Sequence, residues 1–245
     1  MLTNISRIPT YIDDLDDILG GGIPEGRVII ISGDTGTMKS SLAYYILYNN
    51  ALNANTKGLY MTIEQEPEDL LLQFESIGLN HDKVNKFISI LDIRRLIKDA
   101  EKSIGPMIGV ITDYKEKQMK LYSVIKERVF DLFRNYEIIV LDSLSALVDL
   151  YEIGSNDRET LKFLFDLLKE PRRTTFIIQE KSNSNTTTPI ESFIADGIIE
   201  LFYKEIKDSR QLCLRIKKLR YTRHPLDDFI LFHEKGKFKV KRAKM

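Results

Sequence analysis

Residues 26 to 48, GRVIIISGDTGTMKSSLAYYILY, join an unbroken aliphatic run to a glycine-bearing turn and then to a segment with helical apolar spacing. Val28, Ile29, Ile30 and Ile31 leave no polar alternate position, as a strand buried on both faces of a parallel sheet requires. After Lys39, the residues Leu42, Ala43, Ile46 and Leu47 recur at helical spacing. One helix face then packs back on the sheet while the helix N-terminus points into the preceding loop. A chain containing this unit is expected to build an α/β layered fold around it.

The loop between strand and helix carries the first chemical signal. Amide groups at a helix start lack intrahelical acceptors and sit at the positive end of the macrodipole, so they can ring a polyphosphate. Gly33, Asp34, Thr35, Gly36, Thr37, Met38, Lys39, Ser40 and Ser41 form the candidate cradle. Lys39 adds a full charge to it, and Ser40 a hydroxyl suited to Mg2+. The octet Gly33 to Ser40 fits the spacing GxxxxGK followed by Ser or Thr, except that Met38 stands where the second glycine belongs. An ordinary glycine turn is the competing reading. Met38 is expected to have negative φ, where a Cβ is sterically allowed.

Composition removes several classes. Lys plus Arg and Asp plus Glu number 36 each, so no global field draws the chain to nucleic acid or anionic lipid. The lone Cys213 excludes an internal disulfide framework, and His81, His224 and His233 lack zinc spacing. No apolar run reaches the roughly 20 residues of a membrane span, and the first residues do not resemble a signal peptide. A cytoplasmic protein without membrane contact is expected, with residues 1–245 forming one domain.

Along the chain, residues 10 to 26 combine apolar-spaced acidic sequence with Gly20 to Gly22 and Pro24, predicting a short helix or turn on the sheet edge and a tight reversal. Residues 55 to 63 read as a second strand, followed by a helix over 68 to 77. Glu64 then lies just past the carboxyl end of a strand, where open α/β sheets bind ligands, and is the candidate general base. Glu64, Glu66, Glu68 and Asp69 also suit a helix start through the dipole alone. Residues 87 to 91 look like a strand, and the next segment like a charged excursion broken at Gly105 and Pro106. Helical spacing returns over 115 to 135.

Residues 137 to 142, EIIVLD, form an apolar run that ends in Asp142, a position suited to Mg2+ opposite Ser40 or to capping the next helix. Asn156 and Glu159 make a capping-box start for a helix ending before Pro171. Residues 174 to 179 read as another core strand; Gln179 at its end either senses a γ-phosphate or begins the exit loop. The loop over 180 to 190 has Lys181 as its one basic residue, which counts against DNA. From Ala195 onward, three strand-like segments, the last with its own EKGK turn, predict an antiparallel extension. Lys218 and Arg220 lie between these strands, either solvated or projected into a neighbour's phosphates.

Taken together, TYIDDLDDILGGGIPEG, GDTGTMKSS, YMTIEQEPEDLL, IIVLDSLSAL, FIADGIIEL and IKKLRYTRH resemble, nearly end to end, a single-domain member of the KaiC-like branch of the RecA/RadA ATPase superfamily. The resemblance implies a RecA-like P-loop NTPase fold, with a twisted, mainly parallel sheet flanked by helices and MgATP at its carboxyl ends. It also implies a homo-oligomer, a hexameric ring or filament, with the active site at the subunit interface. By position, Lys39 and Ser40 match the phosphate lysine and magnesium hydroxyl, and Asp142 the Walker B carboxylate. Glu64 matches the first of paired catalytic glutamates, with Gln65 in place of the second. Lys218 and Arg220 match a K-x-R pair that reaches a neighbour's ATP. Tyr11, Met38 and Tyr221 stand where the family commonly has glycine. The expected function is ATP and ADP binding with slow Mg-dependent hydrolysis, coupled to assembly or to a protein partner. A recombinase paralogue on single-stranded DNA, or a nucleotide-gated regulator with little turnover, are the alternatives.

Overall fold

A computed structural model describes residues 5–108, 132–150, 168–169, 172–181, 195–206 and 208–243. The aliphatic run expected to be a doubly buried strand is β3 (Val28–Gly33), and every one of its residues is buried. It lies inside a nine-stranded sheet of described strands. On one side, β3 pairs in parallel with β7 (Thr174–Glu180), which leads through β6 (Ile138–Asp142) and β4 (Gly58–Thr62) to β5 (Ile88–Asp92), all parallel. Opposite, β3 pairs in parallel with β8 (Gly197–Ile206). From β8 the sheet continues antiparallel through β9 (Ser209–Leu219), β10 (Asp228–Glu234) and β11 (Lys237–Arg242). The mainly parallel sheet with an antiparallel C-terminal extension is therefore as expected.

Strand parity divides the core into two layers. Ile29, Ile31, Tyr60, Val140, Phe176 and Ile178 face α2 (Lys39–Ala54). Val28, Ile30, Met61, Ile139, Leu141 and Ile177 face the other layer, which includes Ile93 and Ile97 of α4 (Ile93–Ile108) and Leu144 of α5 (Leu144–Leu150). The predicted break at Gly105 and Pro106 does not occur, because α4 continues to Ile108.

Aromatic rings also pack against α2. Phe74 of α3 (Pro67–Ser76) stacks on Tyr44 with centroids 3.8 Å apart and planes at 5°, and Tyr60 meets Tyr44 edge-on at 5.9 Å. The Tyr44 hydroxyl and His81 Nδ1 share a 2.8 Å hydrogen bond, and burial pushes the imidazole pKa down.

The N-terminal segment forms the expected turn and reversal. β1 (Arg7–Ile8) pairs antiparallel with β2 (Ile23–Pro24), and α1 (Leu15–Ile18) lies between them in sequence. Gly22 at φ +111 is required here, since a Cβ would lie 2.3 Å from the Ile8 carbonyl oxygen. The segment also clasps the edge strand β11: Asp13 N–H donates to Phe238 O at 3.0 Å, and Val240 N–H to Asp13 O at 3.1 Å. This covers part of an edge that would otherwise offer unpaired backbone groups. The helices read over 115 to 135 and from Asn156 lie outside the described residues, apart from the end of the first.

Truncating Phe74 removes a fully buried ring from the stack over α2. Phe74→Ala is expected to destabilise the protein by about 3–5 kcal/mol, read as a lowered urea midpoint.

Candidate functional site

β3 ends at Gly33, and the chain turns through residues 34 to 38 into α2. Gly33 is dictated by close packing: a Cβ would stand 2.4 Å from Leu201 O and 2.7 Å from the Thr37 hydroxyl. Gly36 is dictated by backbone conformation, with φ +80. The loop is closed from within. The Asp34 carbonyl accepts from Thr37 Oγ1 at 2.7 Å and from Lys39 Nζ at 2.9 Å.

Met38 contradicts its expectation. Its φ is +61 and ψ 27, in the left-handed region, so a negative φ does not explain the tolerated side chain. The loop needs this conformation at the residue before the helix, whatever occupies it. For a residue with a Cβ the conformation costs about 1–2 kcal/mol. Its carbonyl still accepts the first helical bond from Leu42 N–H at 2.9 Å, and its side chain packs partly against the core.

Three neighbouring strand ends bring carboxylates to this loop. Asp142 closes β6 with its side chain in the cleft, where Oδ2 accepts from the buried Tyr60 hydroxyl at 2.5 Å. Burial raises the Asp142 carboxyl pKa, against the lowering effect of hydrogen bonds from Tyr60 and Ser40. The Ser40 hydroxyl and Asp142 line the same cleft, as two ligands of one small cation should. Glu64 follows β4, and its Oε1 accepts from Ser143 Oγ at 2.5 Å. The same Ser143 hydroxyl accepts from Ala146 N–H at 3.2 Å, so Ser143, not Asp142, caps the next helix. Thr62 fixes the turn that presents Glu64 and Gln65, its hydroxyl donating to Gln65 O at 2.7 Å.

Of the predicted site residues, Thr35, Gly36, Met38, Lys39, Ser40, Ser41, Glu64 and Asp142 line one cleft. Gln179 does not line it. Residues 176, 178 and 180 share the α2 face of β7, so Gln179 points to the opposite layer and is buried. Its neighbour Glu180, paired with Gly33, is the residue that enters the cleft. Glu180 Oε1 accepts from Thr35 Oγ1 at 3.2 Å and lies 3.6 Å from Lys39 Nζ. Sequence reasoning missed it by assigning it to the exit loop, although counting by twos from Phe176 and Ile178 would have found it.

Lys218 and Arg220 are not brought to this cleft. Lys218 pairs with Ile198, which pairs with Ile30, three residues short of Gly33 and so about 10 Å below the carboxyl end. Lys218 Nζ donates to Ala195 O at 2.7 Å, and burial followed by the Arg220 charge lowers its pKa. Arg220 pairs with Asp196 at 3.2 Å. Both cations sit at the amino ends of the parallel strands.

The backbone at residue 38 gives an order of stabilities opposite to that of a helix interior. Among variants that all lack the methionine side chain, Met38→Gly should exceed Met38→Ala by about 1 kcal/mol, with Met38→Val lowest, as measured by urea unfolding.

Comparison with known proteins bears on the fold and the family. The family model described as "ATPase: KaiC" matches residues 8–241. The circadian clock oscillator protein KaiC of Thermostichus vulcanus is 29% identical over 226 residues, covering 90% of this chain and 41% of that protein. KaiC of Prochlorococcus marinus is 26% identical over 232 residues, covering 92% and 44% respectively. The chain thus spans less than half the length of these curated relatives. Among solved structures, a KaiC-like protein from the hyperthermophilic archaeon Pyrococcus horikoshii aligns with a TM-score of 0.74 and 25% identity, covering 97% of this chain and 99% of that one. With its parallel sheet, its loop before α2 and its match over most of its length, the chain belongs to the KaiC ATPase family of RecA-like P-loop proteins.

Proposed function

We propose that residues 1–245 act as a single nucleotide-binding unit that takes MgATP and hydrolyses it slowly at an interface between copies of the chain. One observation carries this reading: Lys39, Ser40, Glu64 and Asp142 converge on one cleft at the carboxyl ends of the parallel strands. The loop amides and Lys39 hold the phosphates, and the α2 N-terminus favours their charge. Mg2+ suits the donor set, since the Ser40 hydroxyl and the Asp142 carboxylate line the same cleft. When bound, the ion supplies charge neutralisation to the β- and γ-phosphates.

Glu64 is the general base. Its carboxylate is oriented by Ser143, which leaves the second oxygen to accept the proton of an attacking water. Gln65 lines the same cleft and cannot take up a proton, which favours slow turnover. The position of Lys218 and Arg220 far from their own chain's cleft supports a role in trans, where a neighbouring copy presents them to the phosphates. Nucleotide state then governs assembly, or binding of a protein partner, through the contacts the second copy makes.

Lys39→Ala should abolish MgATP binding by calorimetry; unchanged affinity would remove the phosphate-loop assignment. Arg220→Ala should leave ATP affinity nearly intact and reduce phosphate release at least about tenfold in assembled protein only. An equal loss in isolated monomers would exclude the trans role.

A further inference from the structure

We propose that Glu180 is a specificity-determining residue, which makes the cleft accept ATP as its magnesium complex and refuse the metal-free nucleotide. The inference rests on the nucleotide-binding reading above. Its basis is where Glu180 sits and what it touches. The parallel register of β7 with β3 places it directly beside Gly33, at the mouth of the phosphate loop. Its carboxylate is held by Thr35 of that loop at 3.2 Å and lies 3.6 Å from the Lys39 ammonium. Lys39 is only 6% exposed, so its charge has little water to answer it, and Glu180 together with the Asp34 carbonyl does so instead.

Among the described residues lining the cleft, Lys39 is the one cation, set against the carboxyl groups of Glu64, Asp142 and Glu180. The three are held differently. Asp142 is tied to Tyr60, and Glu64 to Ser143, on the β6 and β4 side. Glu180 alone approaches Lys39 from the loop side, with 43% of its side chain exposed.

A metal-free triphosphate entering this cleft competes with Glu180 for Lys39 and also meets its negative charge at close range. The magnesium complex brings two compensating charges, which Asp142 and Ser40 are placed to receive. Repulsion from Glu180 therefore weighs more heavily on the free nucleotide than on the complex.

Glu180→Gln tests this cleanly. The amide keeps an oxygen that accepts from Thr35 but carries no charge. Affinities of wild-type and variant protein for ATP are measured by calorimetry, with excess Mg2+ and separately with EDTA. The variant should bind metal-free ATP at least about tenfold more tightly than wild type, equivalent to about 1.4 kcal/mol. Its affinity for MgATP should change by less than about threefold, so the ratio of the two affinities narrows. No gain for metal-free ATP would overturn the proposal. So would an equal gain in both conditions, which would mean simple competition for Lys39 without metal discrimination. Failure of wild-type protein to bind MgATP would instead overturn the nucleotide-binding reading, and the two failures are distinguishable.

Discussion

Everything at the cleft depends on how α2 is held. It packs on Ile29, Ile31, Val140 and Phe176 of the sheet and on Phe74 of α3. The N-terminal segment also contacts it, where Tyr45 donates to Tyr11 O at 2.7 Å and Asn50 to Pro9 O at 2.8 Å. Each fully buried aliphatic side chain contributes on the order of 1.5–3 kcal/mol, so sliding or tilting the helix would expose several such terms at once. The position of the Lys39 ammonium relative to three strand ends is therefore a property of the core rather than of the loop. Polar groups at the strand ends can then be few and specific.

Much of this was legible in residue order because its causes are local. An unbroken aliphatic run, a glycine turn and helical apolar spacing identified β3, the loop and α2 without any distant contact. Asp142 and Glu64 followed from their position just past apolar runs. Gln179 and Glu180 show the limit. Both stand at a strand end, and only the alternation of side chains, together with knowledge of which face carries α2, separates the one in the cleft from the one in the opposite layer. Lys218 and Arg220 could be assigned to a strand but not to a level along it. That level comes from hydrogen-bond register with β8, which no local pattern encodes. The Gly105 and Pro106 pair was read as a break because Pro disfavours helix interiors, yet α4 runs through both.

The same limit applies to backbone conformation. Tyr11, Met38 and Tyr221 all have left-handed φ, at 58, 61 and 62, a conformation that glycine meets most easily. Each site adds contacts around the strained unit. Asp16 accepts from Tyr11 N–H at 2.9 Å, and the Arg27 guanidinium lies 4.4 Å over the Tyr221 ring. Arg7 donates to Tyr221 O at 3.2 Å. Side chains thus offset a cost that glycine would not incur.

The clasp between Asp13 and β11 orders events in time. Leu15 and Ile12, beside that clasp, are buried in the same layer as Phe238 and Val240. During synthesis the first of these segments leaves the ribosome more than two hundred residues before the last. The N-terminal turn cannot complete its burial until β11 has been made, and contacts of such long separation form late. The phosphate loop and α2 emerge early, yet the Tyr11 and Pro9 contacts that steady α2 belong to this waiting segment. The contacts that steady α2 are thereby complete only once β11 has been made.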